Sequence, residues 1–209
     1  AKALFSTIEV NNADNDDIQR WNESLAHATK LDLAAMSIDK VFDEWKLNQR
    51  TLLNPNSQGQ PAFNIELTAQ HEATWQAGDI AEVRSGNSIE RLESFIEKHQ
   101  INPNALVESL QIKINEALRF KNLDVDVEPF ANLDHLLEQL DDLPTREYSI
   151  ASIPEQQVLR LVVRQQRDDQ GQLGLGSGWL TQHTALRDKI QLRIRTNESF
   201  HLIADNRPI

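Results

Sequence analysis

The sequence predicts an α+β protein: an antiparallel Greek-key β-barrel with an inserted helical subdomain, preceded by a short βα segment. Three observations carry this. Apolar and polar residues alternate from Trp45 onward and again toward the C-terminus, the apolar period lengthens to that of a helix between those stretches, and strands with polar outer faces follow one another without helices between them.

Taken in order, Ala3 to Val10 reads as a strand, Asn11-Asn12-Ala13-Asp14 as a turn and cap, and Asp17 to Ala28 as a helix with Ile18, Trp21 and Leu25 on one face. Trp45 to Leu53, Phe63 to Thr68 and Ile80 to Arg84 then read as strands, the first pair joined through Asn54-Pro55-Asn56-Ser57-Gln58-Gly59. Ile89, Leu92, Phe95 and Ile96 follow helical spacing after the candidate caps Asn87 and Ser88. Leu106, Leu110, Ile114 and Leu118 predict a second helix after Pro103-Asn104, and Leu133, Leu136, Leu137 and Leu140 a third. Strands resume with Leu159, Leu161 and Val163 alternating against Arg160, Val162 and Arg164, and with Ile190, Leu192 and Ile194 against Gln191, Arg193 and Arg195.

Composition narrows the chemistry. At 209 residues, 39% hydrophobic and 25% charged, the chain can bury a substantial core. The absence of cysteine excludes a disulfide framework, a thiolate zinc site, an iron–sulfur cluster and a cysteine nucleophile in this segment, and fits a cytoplasmic setting. No apolar run approaches the roughly 20 residues of a membrane-spanning helix. A net charge of −11 opposes nucleic-acid binding and suits a basic electron-transfer partner. The six histidines show no metal-ligand spacing; there is no G-x-S-x-G elbow and no Walker lysine, and Asp124-Val125-Asp126 lacks the glycine and terminal glutamate of a calcium loop.

Two segments stand apart. Arg146-Glu147-Tyr148-Ser149 places a cation and an aromatic ring on one face of a strand, with a hydroxyl at its end. Arginine presents a planar fork suited to phosphate oxygens, and a tyrosine ring can stack on a flat ligand while its hydroxyl keeps a polar partner. The same four residues also read as an ordinary strand with a surface arginine and a half-buried tyrosine. Gly174-Leu175-Gly176-Ser177-Gly178 then leads into a helix expected over Trp179 to Leu186, with Ser177 near its cap. Backbone N–H groups at a helix start bind anions. Alone, that loop equally reads as a flexible surface turn, and a dinucleotide-fold fingerprint would need glycine where Trp179 stands.

The paired motifs resemble the R-x-Y-S and G-x-x-S motifs of the ferredoxin-NADP reductase superfamily, most closely the FAD domain of the diflavin group that includes sulfite reductase flavoprotein and cytochrome P450 reductase. Trp75-Gln76-Ala77-Gly78-Asp79 resembles that family's strand-entry motif, with alanine in place of proline. The resemblance implies residues 1–33 as the end of a flavodoxin-like FMN domain, although an N-terminal extension packed on the barrel accounts for the same βα pattern. It further implies residues 34–84 and 146–209 as the FAD barrel and 85–145 as a connecting insert, shorter than is usual there. The implied roles are Arg146 on the pyrophosphate, with Glu147 beside it in the cofactor site, Tyr148 stacked on the isoalloxazine and Ser149, the catalytic candidate, near flavin N5. Leu159, Arg160 and Leu161 would offer backbone to the pyrimidine, and Gln165 falls where a tyrosine often lies near the adenine. Gly174, Leu175, Gly176 and Ser177 would wrap the pyrophosphate. Implied too are FAD as cofactor, FMN and NADPH in neighbouring domains of the same polypeptide, a nicotinamide domain beyond Ile209, and a redox acceptor protein such as a sulfite reductase hemoprotein. The family also allows a membrane tether through other segments. The alternative is a docking module that has lost flavin, which the short insert and Gln165 favour.

Overall fold

The computed structural model describes residues 41–201, together with Ser24. Internal contacts divide the chain into two units, Ala1–Val41 and Phe42–Ile209, and the architecture below is that of the second. The βα segment expected before residue 33 lies outside the described residues.

In chain order the strands are β1 (Asp43–Leu52), β2 (Ala62–Ala69), β3 (Ile80–Val83), β4 (Leu106–Val107), β5 (Ile112–Lys113), β6 (Arg146–Ser149), β7 (Leu159–Arg164) and β8 (Lys189–Arg195). The helices are α1 (Ile89–Lys98), α2 (Ile114–Ala117), α3 (Leu133–Glu138) and α4 (Leu175–Gly178). Six strands form one sheet in the order β6-β3-β8-β1-β2-β7, while β4 and β5 pair apart from it. Every neighbouring pair in the sheet is antiparallel. Its two edges approach each other where Ile150 bridges Leu161 and the Ala151 N–H donates to the Arg160 carbonyl at 2.8 Å. Among the described residues, no helix is long and apolar enough to cross a membrane.

Strand alternation builds the core. Trp45 and Leu47 of β1, Ile65 and Leu67 of β2 and Leu159 and Leu161 of β7 all turn inward and are fully buried or nearly so. A bulge in β1 between Leu47 and Gln49 then shifts the register against β2, so that Arg50 lies opposite the buried Ile65. The extra residue swaps which side chains face inward and brings Arg50 to the core side.

The insert has a core of its own. Helix α1 starts at Ser88, whose hydroxyl accepts the Arg91 N–H, and it buries Leu92, Phe95 and Ile96 against Val107, Ile114, Leu118 and Leu136. The helix expected from Leu106 to Leu118 is absent. Leu106 and Leu110 are 57% and 53% exposed, Val107 is buried instead, and Gln111 takes a φ of 56° that no α-helix tolerates. The segment therefore turns as the β4–β5 hairpin before α2, and the insert is a mixed subdomain rather than a helical one. Asn87 ties the start of the insert to its middle: its side-chain amide donates to the carbonyls of Leu118, Arg119 and Lys121.

The turn before β3 is held by one carboxylate. Gly78 has a φ of +94°, strained for any other residue, and lies closely under Phe200. Asp79 beside it, 4% exposed, accepts the N–H groups of Gln76 and Asn197 and contacts His201 Nε2 at 2.6 Å. Burial pushes this carboxyl up, but hydrogen bonds from Gln76, His201 and Asn197 outweigh it and hold the group below its ordinary value.

Asp79→Asn is expected to destabilise the protein by about 2 kcal/mol at neutral pH, the scale of hydrogen bonds to a charged group. A depressed carboxyl contributes stability above its unfolded value of 3.8 and loses it as pH falls below that value. Denaturant melts of both proteins should therefore show a constant gap above that pH and a closing gap below it. A gap that stays constant into strong acid would refute the ionised network.

Candidate functional site

The glycine loop and the Arg146 strand meet. Arg146 and Tyr148 alternate onto one face of β6, whereas Glu147 turns to the other and pairs with Arg195 at 2.7 Å. A Cβ built on Gly176 would lie 2.6 Å from Arg146 Cγ and 2.6 Å from Tyr148 Oη. No side chain fits there, so α4 rests its backbone directly on both residues.

Helix α4 begins at Leu175, inside the glycine loop, and runs straight into a π-helical turn from Trp179 to His183. The helix expected over Trp179 to Leu186 is thus shifted toward the N-terminus. Ser177 is not its cap: Gly174 is, and the Ser177 hydroxyl accepts the Gln166 N–H at 3.0 Å while facing the Gly174 carbonyl. Glycine is a poor helix former, which hid this start in the sequence; close packing on Arg146 and Tyr148 overrides the propensity. The first turn closes through the Gly178 N–H to the Gly174 carbonyl, which leaves the N–H groups of Leu175, Gly176 and Ser177 without helical partners.

Arg50, which the sequence reading passed over, holds the far end of this segment. Its guanidinium donates to the Leu180 carbonyl at 2.8 Å and to the Thr184 carbonyl at 2.5 Å, and burial lowers its pKa. Only the β1 bulge brings it there, a feature without a strong sequence signal.

The remaining predicted residues divide. Arg146 is exposed and donates to its neighbour's carbonyl at Thr145, with no carboxylate partner among the described residues. Ser149, the exposed last residue of β6, alternates to the face opposite Tyr148. Leu159 and Leu161 place their side chains in the core, and the Arg160 backbone is engaged, its N–H by the Ser152 hydroxyl and its carbonyl by Ala151. The Arg160 side chain pairs with Glu66. Gln165 is buried and donates to the Thr181 hydroxyl at 3.0 Å. The structure therefore unites Arg146, Tyr148, Gly174, Leu175, Gly176 and Ser177, and sets Glu147, Ser149, Leu159, Arg160, Leu161 and Gln165 apart from them.

Two outcomes are expected of this contact. Tyr148 is the chain's single tyrosine, and burial pushes its phenol up to about 12, with Arg146 pulling weakly the other way. A raised phenol contributes stability below its unfolded value of 10.0 and loses it as pH rises through the folded value. The phenolate absorbance band should therefore appear near 12 and be missing in Tyr148→Phe; a midpoint at 10 would mean a freely solvated ring. Gly176→Ala should destabilise by about 1–3 kcal/mol through overpacking. The same exchange in an open helix stabilises by about 0.5–1 kcal/mol, so the sign of the change in thermal or denaturant melts tests the close approach.

No protein-family model matches the chain, and no curated protein matches it. Among solved structures, ferredoxin-NADP+ reductase from Plasmodium falciparum with 2'P-AMP is similar at a TM-score of 0.45 and 15% identity, over 78% of this chain and 41% of that one. A second structure of ferredoxin-NADP+ reductase from Plasmodium falciparum gives a TM-score of 0.46 and 14% identity, with the same coverage. The chain thus spans about two-fifths of the length of these solved structures.

Proposed function

We propose that this chain is the FAD-binding portion of an NADPH-dependent diflavin reductase, passing electrons from NADPH through FAD to FMN and then to an acceptor protein. The observation that carries the reading is the seat of Gly176 on Arg146 and Tyr148, which joins the two motifs into one cradle. Its donors suit a pyrophosphate: free N–H groups at the start of α4 and an exposed guanidinium without a carboxylate partner among the described residues. Tyr148 packs against the sheet core and offers the one aromatic ring of the cradle for stacking beside those donors. In this reading the sheet is a closed Greek-key barrel, joined where Ile150 meets Leu161.

When bound, FAD would supply hydride acceptance and one-electron release; the chain's residues supply orientation and electrostatics. Arg146 and the α4 N–H groups neutralise the pyrophosphate. Tyr148 sets the plane of the ring, and Arg50 fixes the pitch of the segment that presents the donors. Ser149 as the neighbour of the reacting edge requires the ring to reach the rim of β6.

The second reading, a docking module without flavin, draws on Gln165 and Arg160. Both are engaged inside the protein rather than free for a ligand.

Purified protein reconstituted with FAD should be yellow and release FAD, not FMN, on heating. Arg146→Ala should weaken FAD binding by about 2 kcal/mol, the scale of a charge-assisted contact. Failure to retain any flavin, or unchanged affinity in a folded Arg146→Ala protein, would favour the docking module.

A further inference from the structure

Leu106 and Leu110, which a helix would have turned toward the core, stand on the β4–β5 hairpin with 57% and 53% of their surface exposed. Scattered exposed leucines are ordinary, but two on one tight turn concentrate apolar surface at a single place.

The turn is built rather than slack. Val107 anchors it in the insert core, and its carbonyl accepts the Gln111 N–H at 2.9 Å. The Ala105 carbonyl accepts the Ile114 N–H at 3.0 Å, and the Gln111 side chain donates to the Glu108 carbonyl at 2.7 Å. From α3 the Asp134 carboxylate accepts the N–H groups of Glu108 and Ser109 at 3.3 and 3.1 Å. Bonds on either side therefore hold both leucines out in solvent, and a partner meets them without first ordering the turn.

The surroundings are predominantly acidic. Between Ser85 and Thr145 there are twelve acidic and five basic residues, so less than a third of the chain carries seven of its eleven net negative charges. Glu108 is exposed on the turn, Asp134 bonds to it, Glu138 follows one helical turn along α3 and Glu116 is exposed on α2. Against them stands Lys113, across the ladder from Leu106. Such a field repels nucleic acid and anionic lipid alike and attracts a basic protein surface.

We infer that the β4–β5 hairpin is a docking point for a partner protein whose contact face sets apolar side chains among lysines and arginines. Leu106 and Leu110 lose their water in that face, while Glu108, Asp134 and Glu138 meet its cations at the rim. The area is small, so the contact is transient and sensitive to salt. It uses none of the cradle residues and stands whatever the cradle binds.

The probes are two synthetic amphipathic helical peptides, one of leucine with lysine and one of leucine with glutamate. Asn104 is exposed near Leu106 and the chain has no cysteine, so Asn104→Cys gives the whole chain one attachment point for a fluorophore. The leucine–lysine peptide should change that signal, bind at least about tenfold more tightly than the leucine–glutamate peptide, and weaken as salt is added. Leu106→Ser combined with Leu110→Ser should weaken it by about tenfold, whereas Leu186→Ser, at a leucine 55% exposed outside the insert, should leave it unchanged. If the paired variant does not fold by circular dichroism, Glu108→Lys, which keeps both leucines, should weaken the same peptide. Equal binding of the two peptides, or unchanged affinity in a folded variant of the hairpin, overturns the inference. Leucine-dependent binding to phosphatidylserine vesicles would make the hairpin a membrane contact instead, and a dimer that the paired variant abolishes would make the occupant a second copy of this chain; either result overturns the basic partner.

Discussion

A single missing side chain holds the site together. Because Gly176 has no Cβ, the backbone of α4 reaches Arg146 and Tyr148 at distances where any methyl group would overlap them. The contact fixes where the helix start points, and the rest of the segment is arranged to keep it there. Ser177 stitches the start to Gln166, and Arg50 grips the carbonyls of Leu180 and Thr184 at the other end. A cation at a helix C-terminus and open N–H groups at the N-terminus act along the same dipole.

The insert is stabilised separately. Its apolar residues form a second cluster distinct from that of the sheet, so its stability derives from its own burial. Asn87 binds the start of the insert to Leu118 near its middle, at the exit from β3, and Arg84 stands close by, over the Phe120 ring at 4.4 Å and bonded to Gln191. This junction borders a cleft beside α4.

Charge is distributed unevenly between burial and surface. Glu82 is 2% exposed and pairs with Arg193 while accepting the Thr145 hydroxyl, so its charge is compensated inside the protein. Glu147 and Arg195 meet at the surface, where a pair contributes about 0–1 kcal/mol. Arg146 sits between these two arrangements, exposed and joined only to a backbone carbonyl among the described residues. In a chain of net charge −11, such a guanidinium is electrostatically available to an anion.

What the sequence determined by itself is local and periodic. Alternation in Leu159 to Arg164 and in Lys189 to Arg195 specified strands with one buried face, and Ser88 with the Leu92, Phe95 and Ile96 stripe specified α1, because these signals depend only on neighbours along the chain. Arg146, Tyr148 and the glycine loop were visible as chemistry, since their residue types suit a phosphate and a ring wherever they lie. Tertiary structure decided the rest. Leu106 and Leu110 fit a helical stripe, yet burial selected Val107 and Ile114, and a left-handed Gln111 made the segment a hairpin. The start of α4 at Leu175 runs against glycine's propensity and follows from packing on β6. Arg50 reached the site through a bulge, and Gln165 was turned away from it by a hydroxyl across the core. Each of these outcomes depends on residues far apart in the chain, whose contacts no local pattern encodes.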